Sequence, residues 1–278
     1  MGDREPIMSL RQASQAEVRP VSVRTFDLRA FRRGLTVPLA LIVAWAVVVD
    51  TGMVHSRLLV PVERVIAIAF IDDAGREVWR ALAISAVRMM VGFAVGAATG
   101  TALGLALGAS RSADRAIGPW FHALRQIALF AWIPLLTAWF GNGDGAKIVY
   151  IALSSFFPTV LYTQQGIRTI PQPYREVAEV LRLAWHRRVT KLWLPGALPS
   201  IFVGIQTALI TAWIGTVGAE YAMGMGPGIG TFIFEGREQF RMDVVLLGVI
   251  VLALVGYATN IACGRVFRRL LHWQGDVG

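Results

Sequence analysis

The segment that decides the fold reads PQPYREVAEVLRLAWHRRVTKLWLPGALP, at residues 171–199. Its first half predicts a short amphipathic helix that starts after Pro173, because apolar residues recur there at i, i+3, i+4 and i+7. These residues are Val177, Val180, Leu181 and Ala184. The segment as a whole is too polar to cross a bilayer, so we expect it to connect two membrane spans.

Apolar runs flank this segment, and six of them approach the roughly 20 residues that a helix needs to cross about 30 Å of hydrocarbon. The predicted spans are residues 35–54, 84–108, 120–140, 146–164, 200–219 and 244–265. Of the 278 residues, 55% are hydrophobic and 16% are charged, whereas a soluble domain carries about a quarter charged residues. The sequence therefore predicts an all-α polytopic membrane protein with one membrane domain, residues 35–265.

Lys and Arg gather in the basic N-terminal segment 1–34, around residues 111–115, in 171–199 and in the C-terminal tail 266–278. Positive residues are retained on the cytoplasmic side of a membrane. We therefore expect both termini and 171–199 to be cytoplasmic. The net charge of +9 follows from this topology and does not indicate a nucleic-acid partner, because the Arg clusters lie between apolar runs.

The amphipathic helix in 171–199 has two interpretations on physical grounds. It can be a peg whose apolar stripe fills a groove on a soluble partner. It can equally be a basic helix that rests on anionic lipid. The spacing of the residues leaves both open.

A family resemblance favours the peg. Glu176-Val177-Ala178, Leu181, Leu194-Pro195 and Ala197-Leu198-Pro199 resemble the cytoplasmic EAA loop of binding-protein-dependent ABC importer permeases. The chain departs from that pattern at Val177, where alanine is usual, and at Arg182, where the family has glycine.

The resemblance runs from about residue 59 to 273 and is closest to the permeases for nitrate, sulfonate and taurine. It implies a type I ABC importer permease fold with a cytoplasmic coupling helix. The residues that it assigns to ATPase coupling are Glu176, Val177, Ala178, Val180, Leu181, Arg182 and Leu183. It also implies a location in a bacterial inner membrane, a second permease copy, two cytoplasmic ATPase subunits, a periplasmic binding protein and a small anionic solute.

The sequence contains no Gly-x-x-x-x-Gly-Lys-Ser/Thr phosphate loop, so ATP and Mg²⁺ would be bound by the partner ATPase. Its four histidines are scattered, and its one cysteine, Cys263, excludes both an intrachain disulfide and a zinc site built on cysteines. We expect a non-catalytic subunit without a cofactor. The alternative is a secondary transporter, which would place carboxylates at mid-membrane, whereas Asp50 and Glu220 fall towards span ends.

The second span carries a glycine at every fourth position, which places five glycines on one helix face. They are Gly92, Gly96, Gly100, Gly104 and Gly108. Association of helices in lipid depends on close backbone contact, so this face predicts tight packing against another span.

Polar and indole side chains at membrane depth are candidates for the translocation path, although snorkelling and hydrogen bonds between helices explain them as well. The candidates are Arg125, Gln126, Trp132, Gln206, Trp213 and Glu220. Arg88 and Asp50 lie near span ends, and we interpret them as reaching the membrane interface.

Overall fold

The computed structural model describes residues 60–71 and 73–270, with six further positions between 36 and 47. Those six positions are helical, and the rest of the first predicted span lies outside the described residues. The described helices are α1 (Val62–Ile71), α2 (Asp73–Ala109), α3 (Arg111–Arg125), α4 (Ile133–Phe140), α5 (Asp144–Arg168), α6 (Gln172–Val180), α7 (Trp185–Arg188), α8 (Leu194–Met223), α9 (Ile229–Glu238) and α10 (Met242–Leu270). No strand occurs among them, as the sequence predicts.

Four helical stretches are long and apolar enough to cross a membrane. They are Gly75–Ala109, Asp144–Arg168, Trp185–Met223 and Met242–Phe267. Each contains one of the predicted spans and extends beyond it, because a helix can continue outside the hydrocarbon where water satisfies its polar side chains.

The third predicted span, residues 120–140, is not one straight helix. α3 ends at Arg125, a 3-10 turn covers Leu129–Trp132, and the helices on either side meet at an angle of 97°. Residues 120–125 belong to a helix that begins nine residues earlier at Arg111, after the N-cap Ser110, whose side chain accepts a hydrogen bond from the Ala113 amide (3.2 Å). An apolar run predicts the length of a span, but it carries no information about a change of helix direction within the run. With the bent pair taken as one span, the described residues hold up to five spans.

α2, α5 and α8 pack side by side at the centre of the bundle, and glycines form the contact between α2 and α5. A Cβ atom added at Gly92 would lie 2.7 Å from Ile151, and one at Gly104 would lie 2.6 Å from Thr163. Gly96, Gly100 and Gly108 face α5 in the same way. All five glycines of the predicted face therefore lie against one neighbouring helix.

The bundle has two ends with different connections. At one end, called here the 171–199 end, α6 and α7 link α5 to α8. α7 continues through a π-helical turn, Val189–Trp193, into α8, so that residues 185–223 form one unbroken helix of 39 residues. At the other end, called here the Glu220 end, α8 finishes at Met223 and a glycine-rich loop leads into α9.

Candidate functional site

α6 is a two-turn helix held firmly at its end. The helix starts at Gln172, two residues before the predicted start at Tyr174, with Pro171 as N-cap. At the other end the Arg182 amide donates to the Glu179 carbonyl (2.9 Å), and the Leu183 amide donates to the Ala178 carbonyl (3.1 Å). This pair of bonds is a Schellman motif, which needs a residue of positive φ after the C-cap.

Arg182 supplies that conformation with φ of 45°. The turn that glycine makes in the family pattern is therefore kept here by an arginine. Its Cβ is strained in the left-handed region, which glycine enters without cost.

α6 exposes its apolar stripe and contacts the bundle mainly through Ala178. Val180 is 82% exposed, Leu181 64% and Val177 57%, whereas Ala178 is 4% exposed against the bundle. The Arg175 guanidinium donates to the carbonyls of Ile167 (2.6 Å) and Arg168 (3.0 Å), so it ties α6 to the end of α5. Three large apolar side chains thus project from the 171–199 end with no cover from the described part of the chain.

The Glu220 end holds a buried charge network. Arg88 on α2 and Glu220 on α8 form an ion pair with 4% and 0% exposure, and Arg88 Nη2 also lies 2.6 Å from Asp144 Oδ1. Ser85 donates to both carboxylate oxygens of Glu220 at 2.8 Å. A buried charge is tolerated when its partners and hydrogen bonds are complete, and those of Glu220 are.

The same network holds the loop between α8 and α9. The Gly230 amide donates to Glu220 Oε2 (3.0 Å), the Ile229 amide donates to Ser85 Oγ (2.9 Å), and Lys147 Nζ donates to the Met225 carbonyl. A Cβ atom at Gly228 would lie 2.5 Å from the Glu220 carboxyl carbon, so a side chain cannot be accommodated there. The loop is therefore fastened to α2, α5 and α8.

The sequence interpretation of Arg88 was wrong, because the side chain turns into the bundle and does not reach the interface. No motif or spacing in the sequence singles out Ser85, Asp144 or Lys147 as members of this network. Arg88 and Glu220 lie in or near separate predicted spans, and neither has a partner of opposite charge close by in sequence. These two opposite charges were the signal that could have suggested an ion pair between the spans. Asp50 lies outside the described residues.

Comparison with known proteins identifies the chain. The family described as binding-protein-dependent transport system inner membrane component matches residues 96–272. The chain belongs to this family. The permease resemblance read from 171–199 is thereby confirmed.

Relatives of this permease carry transport names. SsuC of Bacillus subtilis (strain 168), whose name describes an aliphatic sulfonates transport permease protein, is 36% identical over 88% of either chain. The bicarbonate transport system permease protein CmpB of Synechococcus elongatus is 31% identical, over 86% of this chain and 92% of its own length. The taurine transport system permease protein TauC of Escherichia coli (strain K12) is 29% identical, over 85% of this chain and 88% of its own length.

A solved structure supports the fold. A chain of the MetNI methionine ABC transporter, in inward-facing conformations, superposes with a TM-score of 0.58 and 23% identity, over 70% of this chain and 94% of that one. The expected type I importer permease fold is confirmed, although the count of six spans is not. The chain is a non-catalytic permease subunit of an ABC importer, a family that works with an ATPase and a substrate-binding protein.

The permease does not bring its six candidate path residues together. Arg125 and Gln126 are exposed at the bend after α3, and Trp132 packs beside Tyr150 at the Glu220 end. Gln206 donates to Asn260 (3.0 Å) beside a groove of about 240 Å³ between α8 and α10. Trp213 also borders this groove, and its indole donates to the Leu252 carbonyl (3.3 Å). Glu220 is enclosed in the charge network.

Nothing in the described part of the permease gathers metal ligands. Among residues 60–71, 73–270 and the six earlier positions, no three His, Cys, Asp or Glu side chains lie close enough to hold an ion. Cys263, the one cysteine of the sequence, is half-buried.

Proposed function

We propose that α6 is the coupling helix through which this permease engages its ATPase. The observation that carries the proposal is the exposed stripe of Val177, Val180 and Leu181 on a helix that is attached to the bundle through Ala178 and Arg175. Apolar side chains of this size gain about 1.5 to 3 kcal/mol each when buried, so the stripe favours a partner with an apolar groove. Glu176, Ala178, Arg182 and Leu183 shape and hold the helix that presents it.

The full assembly contains two copies of this chain, two cytoplasmic ATPase subunits that bind ATP and Mg²⁺, and a periplasmic binding protein. The permease lies in the inner membrane with both termini and α6 in the cytoplasm, and the Glu220 end faces the periplasm. The support is the concentration of arginines around 111–115, 168–188 and 265–269. Reporter fusions after Arg188 and Arg237 test the orientation, and a periplasmic signal at Arg188 contradicts it.

The solute is a small anion, an aliphatic sulfonate, taurine, nitrate or a similar compound. The support is the set of relatives named for sulfonates, taurine, bicarbonate and nitrate. Of the six path candidates, Arg125 has an exposed guanidinium and Gln206 has an amide beside a groove. Glu220 and Trp213 are buried within the bundle. Uptake of labelled taurine, ethanesulfonate and nitrate, each competed with the others, identifies the solute.

The coupling proposal is tested by Val180→Asp/Leu181→Asp. We expect the variant to insert normally but to lose its ATPase during purification, or to leave ATP hydrolysis unresponsive to loaded binding protein. The matched control is Val180→Ile/Leu181→Met, which keeps the apolar surface at the same positions. If the aspartate variant retains its ATPase and transports at the normal rate, α6 does not couple.

A further inference from the structure

A cavity of about 820 Å³ lies behind α6, on the side away from its exposed stripe. The ends of α2 and α5, the start of α3 and the π-helical turn complete its walls. Ala178 and Glu179 form the α6 wall. Five arginines line the cavity: Arg111, Arg115, Arg168, Arg175 and Arg188.

The carboxylates in the wall do not neutralise these arginines. Asp114 is already engaged, since its Oδ2 lies 2.6 Å from Arg168 and its Oδ1 accepts from Gln164 (2.7 Å). Among the described residues, no carboxylate lies within 4 Å of the other four arginines, Arg111, Arg115, Arg175 and Arg188. Four guanidinium groups therefore share the cavity with one further carboxylate, Glu179.

Arg175 adds an independent observation. Its Nη2 atom is bound to the last carbonyls of α5, but its Nε atom is buried and has no acceptor in the described structure. A buried donor without an acceptor costs free energy comparable to a lost hydrogen bond. Because Arg175 lines the cavity, an anion there would offset the charge of this incompletely bonded guanidinium.

We propose that this cavity binds a phosphate group, either as inorganic phosphate or as the headgroup of an anionic phospholipid. Arginine presents planar, forked donors that match the oxygens of phosphate. The N-terminus of α3 begins at Arg111 in the cavity wall, and its dipole adds a positive field. The volume exceeds that of one phosphate and accommodates a headgroup.

The bound phosphate would fix the position of α6. It would connect the α6 face that carries Ala178 and Glu179 to the ends of α2, α3 and α5, while leaving the exposed stripe free. The inference rests on the proposed function in two respects: that α6 is the coupling helix, and that the cavity faces the cytoplasmic leaflet. Binding itself is measured on the permease, so its failure and the failure of ATPase coupling are separable.

The test uses the permease, with any ATPase that copurifies, in phosphatidylcholine nanodiscs. One set of nanodiscs also contains about 25 mol% phosphatidylglycerol, an anionic lipid. Native mass spectrometry measures retained phosphatidylglycerol, and calorimetry measures inorganic phosphate. The variant Arg111→Gln/Arg115→Gln removes two cavity charges that make no described hydrogen bond. The control Arg187→Gln/Lys191→Gln removes two exposed charges that do not line the cavity.

We expect wild type and control to bind one of the probes, with at least about tenfold weaker binding in the cavity variant, because two charge-assisted contacts are lost. Retention of phosphatidylglycerol identifies the headgroup as the source, and binding of phosphate alone identifies the free anion. Absence of binding to both probes overturns the proposal. Equal weakening by the control pair also overturns it, because the attraction would then be a general surface charge.

Discussion

The two ends of this permease differ in whether their functional side chains find partners within the chain. At the Glu220 end, an arginine, two carboxylates and a glycine-rich loop are joined by contacts within the chain. At the 171–199 end, three large apolar side chains on α6 remain uncovered. The charge network at the first end is therefore complete within the subunit, whereas we propose that a partner covers the stripe at the second. Mutations should therefore alter stability at one end and assembly at the other.

Glu220→Ala should give the largest loss of stability. It leaves Arg88 buried beside Lys147 with only part of its countercharge, and removal of one partner of a buried pair costs about 3 to 5 kcal/mol. Unfolding of the purified permease by heat or by SDS in mixed micelles measures the loss. Glu238→Ala, at an exposed position of α9, is the control and should change stability by less than about 0.5 kcal/mol. If both variants unfold alike, the network does not stabilise this end.

A double variant sharpens that result. Arg88→Met/Glu220→Met removes both members of the ion pair and leaves no lone buried guanidinium. It should recover part of the stability lost in Glu220→Ala, because a buried pair can be replaced by apolar groups at small cost. A double variant less stable than the single one would mean that the carboxylate acts mainly through Ser85 and Gly230.

Gly100→Leu should have the next largest effect, since the glycine face joins the two ends. A Cβ atom there would lie 2.8 Å from the Phe156 carbonyl and 3.0 Å from Thr159. Overpacking of this kind costs about 1 to 3 kcal/mol, and the separation of α2 from α5 should also reduce the yield of assembled complex. Gly264→Leu is the control, because no atom of the described residues lies within 4 Å of its added Cβ. Normal unfolding and assembly of Gly100→Leu would contradict close packing.

Arg182→Gly should be slightly stabilising, by about 1 kcal/mol, because it relieves a positive φ at the end of α6. Hydrogen exchange of the Leu183 amide, which closes the Schellman motif, reports the change locally. Arg187→Gly, inside the continuous helix, should have the opposite sign. Faster exchange in Arg182→Gly would show that the arginine side chain contributes more than its backbone strain costs.

Val180→Asp/Leu181→Asp should leave the stability of the isolated permease nearly unchanged, within about 0.5 kcal/mol, because both side chains are exposed. Unfolding measured without the ATPase checks this. A large loss would mean that the stripe packs within the chain or against its own second copy.

Features set by local periodicity could be predicted from the sequence. The four-residue spacing of Gly92 to Gly108 and the apolar stripe of Val177, Val180 and Leu181 each lie on one helix, so a period suffices to place them on one face. The Arg88–Glu220 pair joins residues 132 positions apart, and no periodicity connects them. The bend after Arg125 depends on where α3 begins, which composition does not show. The turn at Arg182 follows from two backbone hydrogen bonds, which can form even without the expected glycine.

The unbroken helix from Trp185 to Met223 connects the two ends of this subunit. At 1.5 Å per residue, the rise of a regular α-helix, its 39 residues correspond to about 58 Å, with the junction to α6 at one end and Glu220 near the other. A tilt of about 10° around the midpoint moves each tip by about 5 Å in opposite directions. Because Glu220 is clamped to the Gly230 amide, this lever would carry the loop after α8 with it. Movement imposed beside α6 would thus reappear, reversed in sign, at the far surface of the membrane.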